Sequence, residues 1–445
     1  MSARTSIRLV VGAALSAALV ASLLDPPAAA QPATTRPSIP QVAGRVLTLD
    51  EAVAIALEQQ PQITVLLFAY AAARYRVDQA LAPLLPQLTG SVSTTKSENP
   101  SLSTLGVAST VFRNFDQTVL AQVALSQLLF DFGKNLAATE AARKLQDIAL
   151  ENVELQRQLI SLSVKEAYTN ILFAQRLIRV NEQALQRADL NLKSARGFYE
   201  VGTRPKSDVA RAEVDVANAK LAVIQARNAE RLALVALNTA MAIDVDTPTT
   251  IQDNLVYEPV TLDRQAIRAE ALRQRPEYLQ AKLSAQSAEA LQRQAFRNFF
   301  PDITGSGIYG GARKDLQELW AVTLSLSWTI YDGGGRIGRY REARANYESA
   351  LANIKVTELN IIQNVEQAQI AVTDAAERIQ AAQAAVASAQ ENFRLAQGRF
   401  DAGVGTILEL TDAQLALTQA QNTETQALSD YRIALYRLDR ARGRR

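Results

Sequence analysis

Residues 347–400 read YESALANIKVTELNIIQNVEQAQIAVTDAAERIQAAQAAVASAQENFRLAQGRF. Taken in steps of four and three, the stretch gives Ile361, Val365, Ala368, Val372, Ala375, Ile379, Ala382, Val386, Ala389, Phe393, Ala396 and Phe400. No position in the series is polar, and no proline or glycine interrupts it before Gly398. A sustained seven-residue apolar repeat is the signature of a helix packed in a coiled coil. From Val365 on, larger side chains alternate with alanine, which lets a partner helix approach closely. With its lead-in from Ile337 the run spans roughly 95 Å at about 1.5 Å per residue. That is about three times the hydrocarbon thickness of a bilayer, so the helix outgrows an ordinary globular domain.

The same helix occurs twice. Subtracting 201 from each position gives Ile160, Val164, Ala167, Ile171, Ala174, Ile178, Asn181, Leu185, Ala188, Leu192, Ala195 and Tyr199, with Asn181 the one polar exception. The next helix repeats too. Val209, Ala212, Val216, Ala219, Val223, Ala226, Glu230, Ala233, Leu237 and Ala240 match Leu410, Ala413, Leu417, Ala420, Glu424, Ala427, Tyr431, Ala434, Leu438 and Ala441. A fixed offset held over two helices marks a tandem duplication. Each half joins its helices through a short glycine-containing turn, Val201-Gly202-Thr203-Arg204-Pro205 or Ala402-Gly403-Val404-Gly405. Such a turn folds the pair back as an antiparallel hairpin.

Composition removes whole classes of chemistry. Among 445 residues there is no cysteine and no histidine. That leaves no imidazole base, thiol nucleophile or thiolate metal site. Carboxylates stand in no pocket-like context, so neither an enzyme nor a cofactor is expected. The 47 basic and 45 acidic residues nearly balance, against a nucleic-acid partner. Arg437, Arg440, Arg442, Arg444 and Arg445 read as a solvated helix end, where arginine suits the dipole.

The N-terminus reads as a secretory signal over 1–30. Arg4 and Arg8 precede the apolar run Leu9 to Leu24, and Ala28-Ala29-Ala30 fits the small-residue cleavage rule. No cysteine follows for a lipid anchor, and no other segment approaches 18 apolar residues. Residues 31–47, rich in Pro, Thr and Ser, read as an extended linker.

The first repeat is expected over 48–260. Thr48 or Asp50 caps a short helix, and Pro61 ends it and opens another to about Leu85. Strands follow at about 87–96 and 118–130, separated by a polar loop, and then a helical hairpin at about 134–242. The second repeat, 261–445, has the same order, with strands at about 302–311 and 319–331 and a hairpin at about 335–442. In the last strand Trp320, Val322, Leu324, Leu326, Trp328 and Ile330 face one way, opposite Ala321, Thr323, Ser325, Ser327 and Thr329. An apolar face with aromatics near both ends, backed by small hydroxyl residues, matches a lipid-facing barrel strand. A soluble sheet would need a second apolar layer, and the other apolar surfaces are helix seams.

Four strands cannot close a barrel, and open edges are not tolerated in lipid. The chain is therefore expected to oligomerise through its strand edges. Two copies give eight strands filled by side chains, and three give twelve with room for a channel.

The duplicated order of helices, strand pair and hairpin resembles the TolC-type outer-membrane efflux family over nearly all of the mature chain. The junctions Leu85-Pro86 and Phe300-Pro301 carry the likeness. So do the tips Phe198-Tyr199-Glu200-Val201-Gly202-Thr203 with Asp208, and Phe400-Asp401-Ala402-Gly403 with Glu409 and Asp412. The resemblance implies a mainly α fold with a membrane β-barrel. Duplicated coiled-coil hairpins form an α-barrel, and four strands per chain contribute to a trimeric 12-stranded barrel. It implies a passive exit duct of a tripartite efflux or type I secretion system, in the outer membrane and extending into the periplasm. Its partners are the homotrimer, outer-membrane lipid, a periplasmic adaptor and an inner-membrane pump. By the same resemblance Val201, Gly202, Thr203, Ala402, Gly403 and Val404 form the adaptor-docking tips, and Asp208, Glu409, Asp412, Phe400 and Arg204 surround the periplasmic aperture. The family links the aspartate after the first tip to a tyrosine and an arginine at the second. Those two positions are Phe400 and Gly405 here, which leaves Arg204 as the substitute. The competing class, a coiled-coil surface or adhesin-like protein, needs no amphipathic strand carrying two tryptophans.

Overall fold

The computed structural model describes residues 44–105, 108–312 and 317–445, and gives backbone alone between 97 and 118. The expected signal peptide and most of the expected linker lie outside the described residues.

The linker's last residues are not free chain. Val46–Leu47 (β1) pairs in parallel with Thr250–Ile251 (β4). Tyr168 holds this pairing from below, its hydroxyl within 2.7 Å of the Gln252 carbonyl and 3.1 Å of the Leu47 carbonyl. Burial pushes that phenol up to about 12. Helix α1 (Leu49–Gln59) opens on a capping box in which Thr48 and Glu51 satisfy each other's backbone. Helix α2 (Pro61–Leu81) follows, with proline at its first position, and a short 3-10 turn, Ala82–Leu84, leads to the sheet.

Four antiparallel strands form that sheet in the order β2 (Gln87–Leu105), β3 (Ala108–Phe130), β5 (Asp302–Ala312), β6 (Gln317–Ser327). The first two strands run well past the expected 87–96 and 118–130, because backbone pairing continues to Leu105 opposite Ala108 after the apolar alternation has stopped. Ladder hydrogen bonds depend on main-chain groups, so the stretch without alternation pairs as well as the alternating one. The last strand stops short of the expected 331. Ser327 pairs with Asp302, the first residue of β5 after Pro301, so Trp328 and Ile330 lie beyond the ladder. The Trp328 indole donates to the Phe299 carbonyl at 3.0 Å. At Gly310 an added Cβ would meet the Ala121 carbonyl oxygen at 2.1 Å, so only glycine fits between β5 and β3.

Register sorts the two faces. Leu88, Val92, Val123, Leu125, Ile303, Tyr309, Trp320, Val322, Leu324 and Leu326 share one. Gln87, Thr89, Ser91, Gln122, Ser126, Thr304, Ser306, Thr323 and Ser325 share the other. Among the described residues no single helix is long and apolar enough to cross a membrane.

Two helices of 67 residues carry the rest, α3 (Lys134–Glu200) and α7 (Gly335–Asp401). Shorter helices flank them: α4 (Lys206–Ala240), α5 (Arg264–Gln274), α6 (Pro276–Arg297) and α8 (Ile407–Ala441). Near the sheet the packing order is α2, α3, α6, α7. Toward the tips it is α4, α3, α8, α7. The α7 seam is buried or half-buried throughout, with Val365 and Ile379 at 0 % exposure. In the α3 seam Asn181 bonds back to the Leu177 carbonyl. Tyr199 departs from the pattern. It is exposed, because its neighbour Phe198 takes the place against Phe400.

The C-terminal arginines stand partly in solvent, as expected, but each is paired with an acid. Arg437 pairs with Glu166 at 2.8 Å, Arg440 with Glu277 at 3.6 Å, Arg444 with Glu270 at 2.7 Å and Arg445 with Glu154 at 2.6 Å, while Arg442 pairs with Asp439. Gln158 and Lys165 donate to the Gly443 and Arg445 carbonyls. The end of α8 lands where α3, α5 and α6 present acids, and charge complementarity fastens it there.

Candidate functional site: the hairpin tips

Both hairpin turns close with one device. At the first, the Gly202 amide donates to the Tyr199 carbonyl and the Thr203 amide to the Phe198 carbonyl, each at 2.9 Å. At the second, Gly403 donates to Phe400 and Val404 to Arg399, each at 3.0 Å. These are Schellman closures, which need a left-handed residue after the cap. Gly202 has φ +74° and Gly403 φ +75°. Beside them Val201 and Val404 are each 71 % exposed. Thr203 turns its hydroxyl to the Phe198 carbonyl, and Ala402 caps α7.

The tips are fastened to each other by Arg204. Its guanidinium donates to the Gly405 carbonyl at 2.6 Å, lies 4.6 Å from the centre of the Phe400 ring, and stands 3.7 Å from the Asp208 carboxylate. Phe400 is turned inward within the chain. It is wholly buried with Ile407, Leu410, Phe198 and Phe393, because the last turn of α7 points its ring between the hairpins. An added Cβ at Gly405 would sit 2.9 Å from the Arg399 Cβ. No side chain fits there, and the backbone carbonyl serves as the acceptor instead.

The acids divide. Asp208 lies in the first turn of α4 and is nearly buried under Arg204. Glu409 sits in the first turn of α8, its amide held by the Thr406 hydroxyl at 3.2 Å, and faces Arg399 at 3.6 Å. Asp412, one turn on, is exposed and makes no ion pair among the described residues. Two groups had no signal in the sequence. Arg399 partly offsets Glu409, and Thr411 donates to Asp215 at 2.9 Å, tying α8 to α4. Neither pair has the spacing of a single helix face, so periodicity could not find them. At the far end, Trp320, Val322, Leu324, Leu326, Trp328 and Ile330 are all more than half exposed.

Residues 52–242 and 267–444 match the family described as outer membrane efflux protein. The chain belongs to that family. Among curated relatives, the outer membrane protein TolC of Escherichia coli strain K12 is 27 % identical over 391 residues, 81 % of this chain and 75 % of that one. Nodulation protein T of Rhizobium leguminosarum bv. trifolii is 25 % identical over 331 residues, 71 % of this chain and 69 % of its own. The crystal structure of the outer membrane protein VceC from Vibrio cholerae superposes with a TM-score of 0.76 at 21 % identity, covering 89 % of this chain and 96 % of that one. The fold is thus that of the outer-membrane channels, and this efflux-family chain is an outer-membrane exit channel whose long helices extend into the periplasm.

Proposed function

We propose that three copies of the chain close into the exit duct of a tripartite efflux or type I secretion system, opened at its tips by a periplasmic adaptor and fed by an inner-membrane pump. One observation carries the reading: the same two flanks are left open at every level. The sheet ends in β2 on one side and β6 on the other. The helices end in α2 and α4 on the first side and in α7 on the second. Both flanks carry unpartnered apolar residues, Val214, Leu221, Ile224, Leu232 and Val235 on α4 and Leu351, Val356, Leu359 and Ile370 on α7. An open strand edge is not tolerated in lipid, so β6 of one copy pairs with β2 of the next. Small hydroxyl side chains on the inner face leave water in a twelve-stranded barrel rather than filling an eight-stranded one. The duct hydrolyses nothing itself. A coiled-coil adhesin would leave the apolar face of β6 without a role.

Light scattering in detergent tests the assembly. The chain runs as a trimer, and Leu324→Arg, which places a charge on the lipid face at about 2–4 kcal/mol near the bilayer midplane, abolishes barrel insertion. A monodisperse monomer of the unaltered chain refutes the reading. The exposed Val201 and Val404 on their glycine turns give the adaptor its apolar contact.

A further inference from the structure

A second site lies at the other end of the helices. We propose that the outward groove between α6 and α7, immediately beneath the sheet, holds a zwitterionic phospholipid of the membrane's periplasmic leaflet, phosphate on Arg293 and ammonium on Glu289. The groove encloses about 570 Å³, the size of an ordinary small-ligand site. Phe132, Phe296, Phe300 and Tyr340 form its aromatic wall.

The groove opens toward lipid and away from the lumen. Asn298 lines a small polar recess with Ser327 and Thr329, on the hydroxyl face of the sheet. A helix turns roughly 100° per residue, so Phe296, two residues before the cap Asn298, points roughly 160° away from it. The opposite side of the α6–α7 groove, lined by Ala288, Leu291 and Ala343, meets the polar recess at Arg339, and Phe300 stands between the two sides. Trp328, next to Ser327 and on the apolar side, reaches the Phe299 carbonyl. The wall is continuous with the lipid-facing surface.

The wall is also strained into place. Phe132 adopts φ +55°, while its counterpart in the second repeat, Gly333, reaches φ +69° at no steric cost. A bulky residue in the left-handed region is a true outlier, and such outliers mark function. The strain holds the Phe132 ring 5.0 Å from Phe300 in a near-parallel stack and 4.7 Å from Phe130. Phe300 continues the wall to Phe296 at 5.8 Å, and Phe296 to Tyr340 at 5.9 Å. Phe296 is nevertheless half exposed.

The polar groups of the groove are incompletely used. Arg293 spends one nitrogen on Glu140 at 2.8 Å, and its partly exposed guanidinium lines the groove beside Phe296. Glu289, one helical turn away, is exposed and forms no hydrogen bond or ion pair among the described residues, not even with Arg293. A donor and an acceptor one turn apart fit the phosphate and the ammonium of an ethanolamine headgroup, a few bonds apart. The acyl chains then lie along the aromatic wall and the apolar strand face.

Native mass spectrometry of the full chain from detergent micelles tests this, using three lipids with identical dioleoyl chains. These are phosphatidylethanolamine, phosphatidylglycerol and diacylglycerol. The unaltered chain should retain phosphatidylethanolamine about tenfold better than diacylglycerol, and better than phosphatidylglycerol. Glu289→Gln should erase the preference between the two phospholipids, and Arg293→Gln should lose both, at unchanged oligomer mass. Equal retention of all three lipids by the unaltered chain overturns the proposal without any variant. Unchanged preferences in both variants overturn it as well.

Discussion

Arg204→Ala should loosen the two hairpin tips from each other. The side chain makes one charge-assisted hydrogen bond to Gly405, worth about 1.5–3 kcal/mol. Its stacking over Phe400 adds about 0.5–2 kcal/mol. The 3.7 Å approach to Asp208 adds at most about 1 kcal/mol. Immobilising an arginine takes back about 2 kcal/mol. The net is about 0–4 kcal/mol and about 2 kcal/mol at its centre, so the separated arrangement of the tips gains roughly thirtyfold in population at the central value. The chain has no cysteine, so a pair of spin labels at Val201 and Val404 is unambiguous. With labelled chain diluted into unlabelled, dipolar spectroscopy should give a broader and longer distance distribution for Arg204→Ala than for the parent. Arg204→Lys should fall between, because a point charge near Asp208 keeps the ion pair and loses the planar stack. Superimposable distributions for all three chains would refute the argument.

Three further outcomes are expected. Threefold assembly would gather six carboxylates from Glu409 and Asp412 at the periplasmic end, so Glu409→Gln with Asp412→Asn should abolish block by a trivalent cation in planar bilayers; retained block would leave the acids as helix-dipole partners only. Gly202→Val with Gly403→Val forces a β-branched residue into φ > 0, and should remove export activity at a normal outer-membrane level of trimer. Burial acts to raise Glu154, but the hydrogen bond and charge of Arg445, helped by Arg157, outweigh it and hold the carboxyl below its ordinary 4.5. A lowered carboxyl stabilises above its unfolded value and loses that contribution as pH falls through its folded one. Protection from hydrogen exchange across 437–445, taken relative to the intrinsic rate at each pH, should therefore be high at neutral pH and fall well below pH 4.5, and protection insensitive to that change would remove the C-terminal clamp.

What could be read from the sequence was whatever repeats at a fixed period. The α7 seam from Ile361 to Phe400 and its copy in α3 follow from helical spacing, and Trp320 to Leu326 from strand alternation. Contacts between distant segments carry no period. Arg204 meets Phe400 and Gly405 only because two hairpins close side by side, and Arg445 meets Glu154 only because α8 ends against α3. The strands beyond Lys96 escaped notice for another reason. Alternation reports burial, whereas pairing runs through the backbone and persists where apolar and polar residues no longer alternate. At Phe400 the buried ring follows the periodicity of the seam.

The pairing of β3 with β5 has a consequence for how the protein is made. Leu120 lies against Ala312, so the whole first hairpin separates strands that must meet. Closing so long a loop is slow, since the entropy is lost before the contact rewards it. A newly exported chain therefore carries β2 and β3 through water with an apolar face bare and two edges unpaired, a state prone to aggregation. Nothing in the first repeat can cover them, because the helices that follow have seams of their own to bury. Insertion can therefore follow only once both halves of the chain are present, since β3 has its second neighbour only in β5.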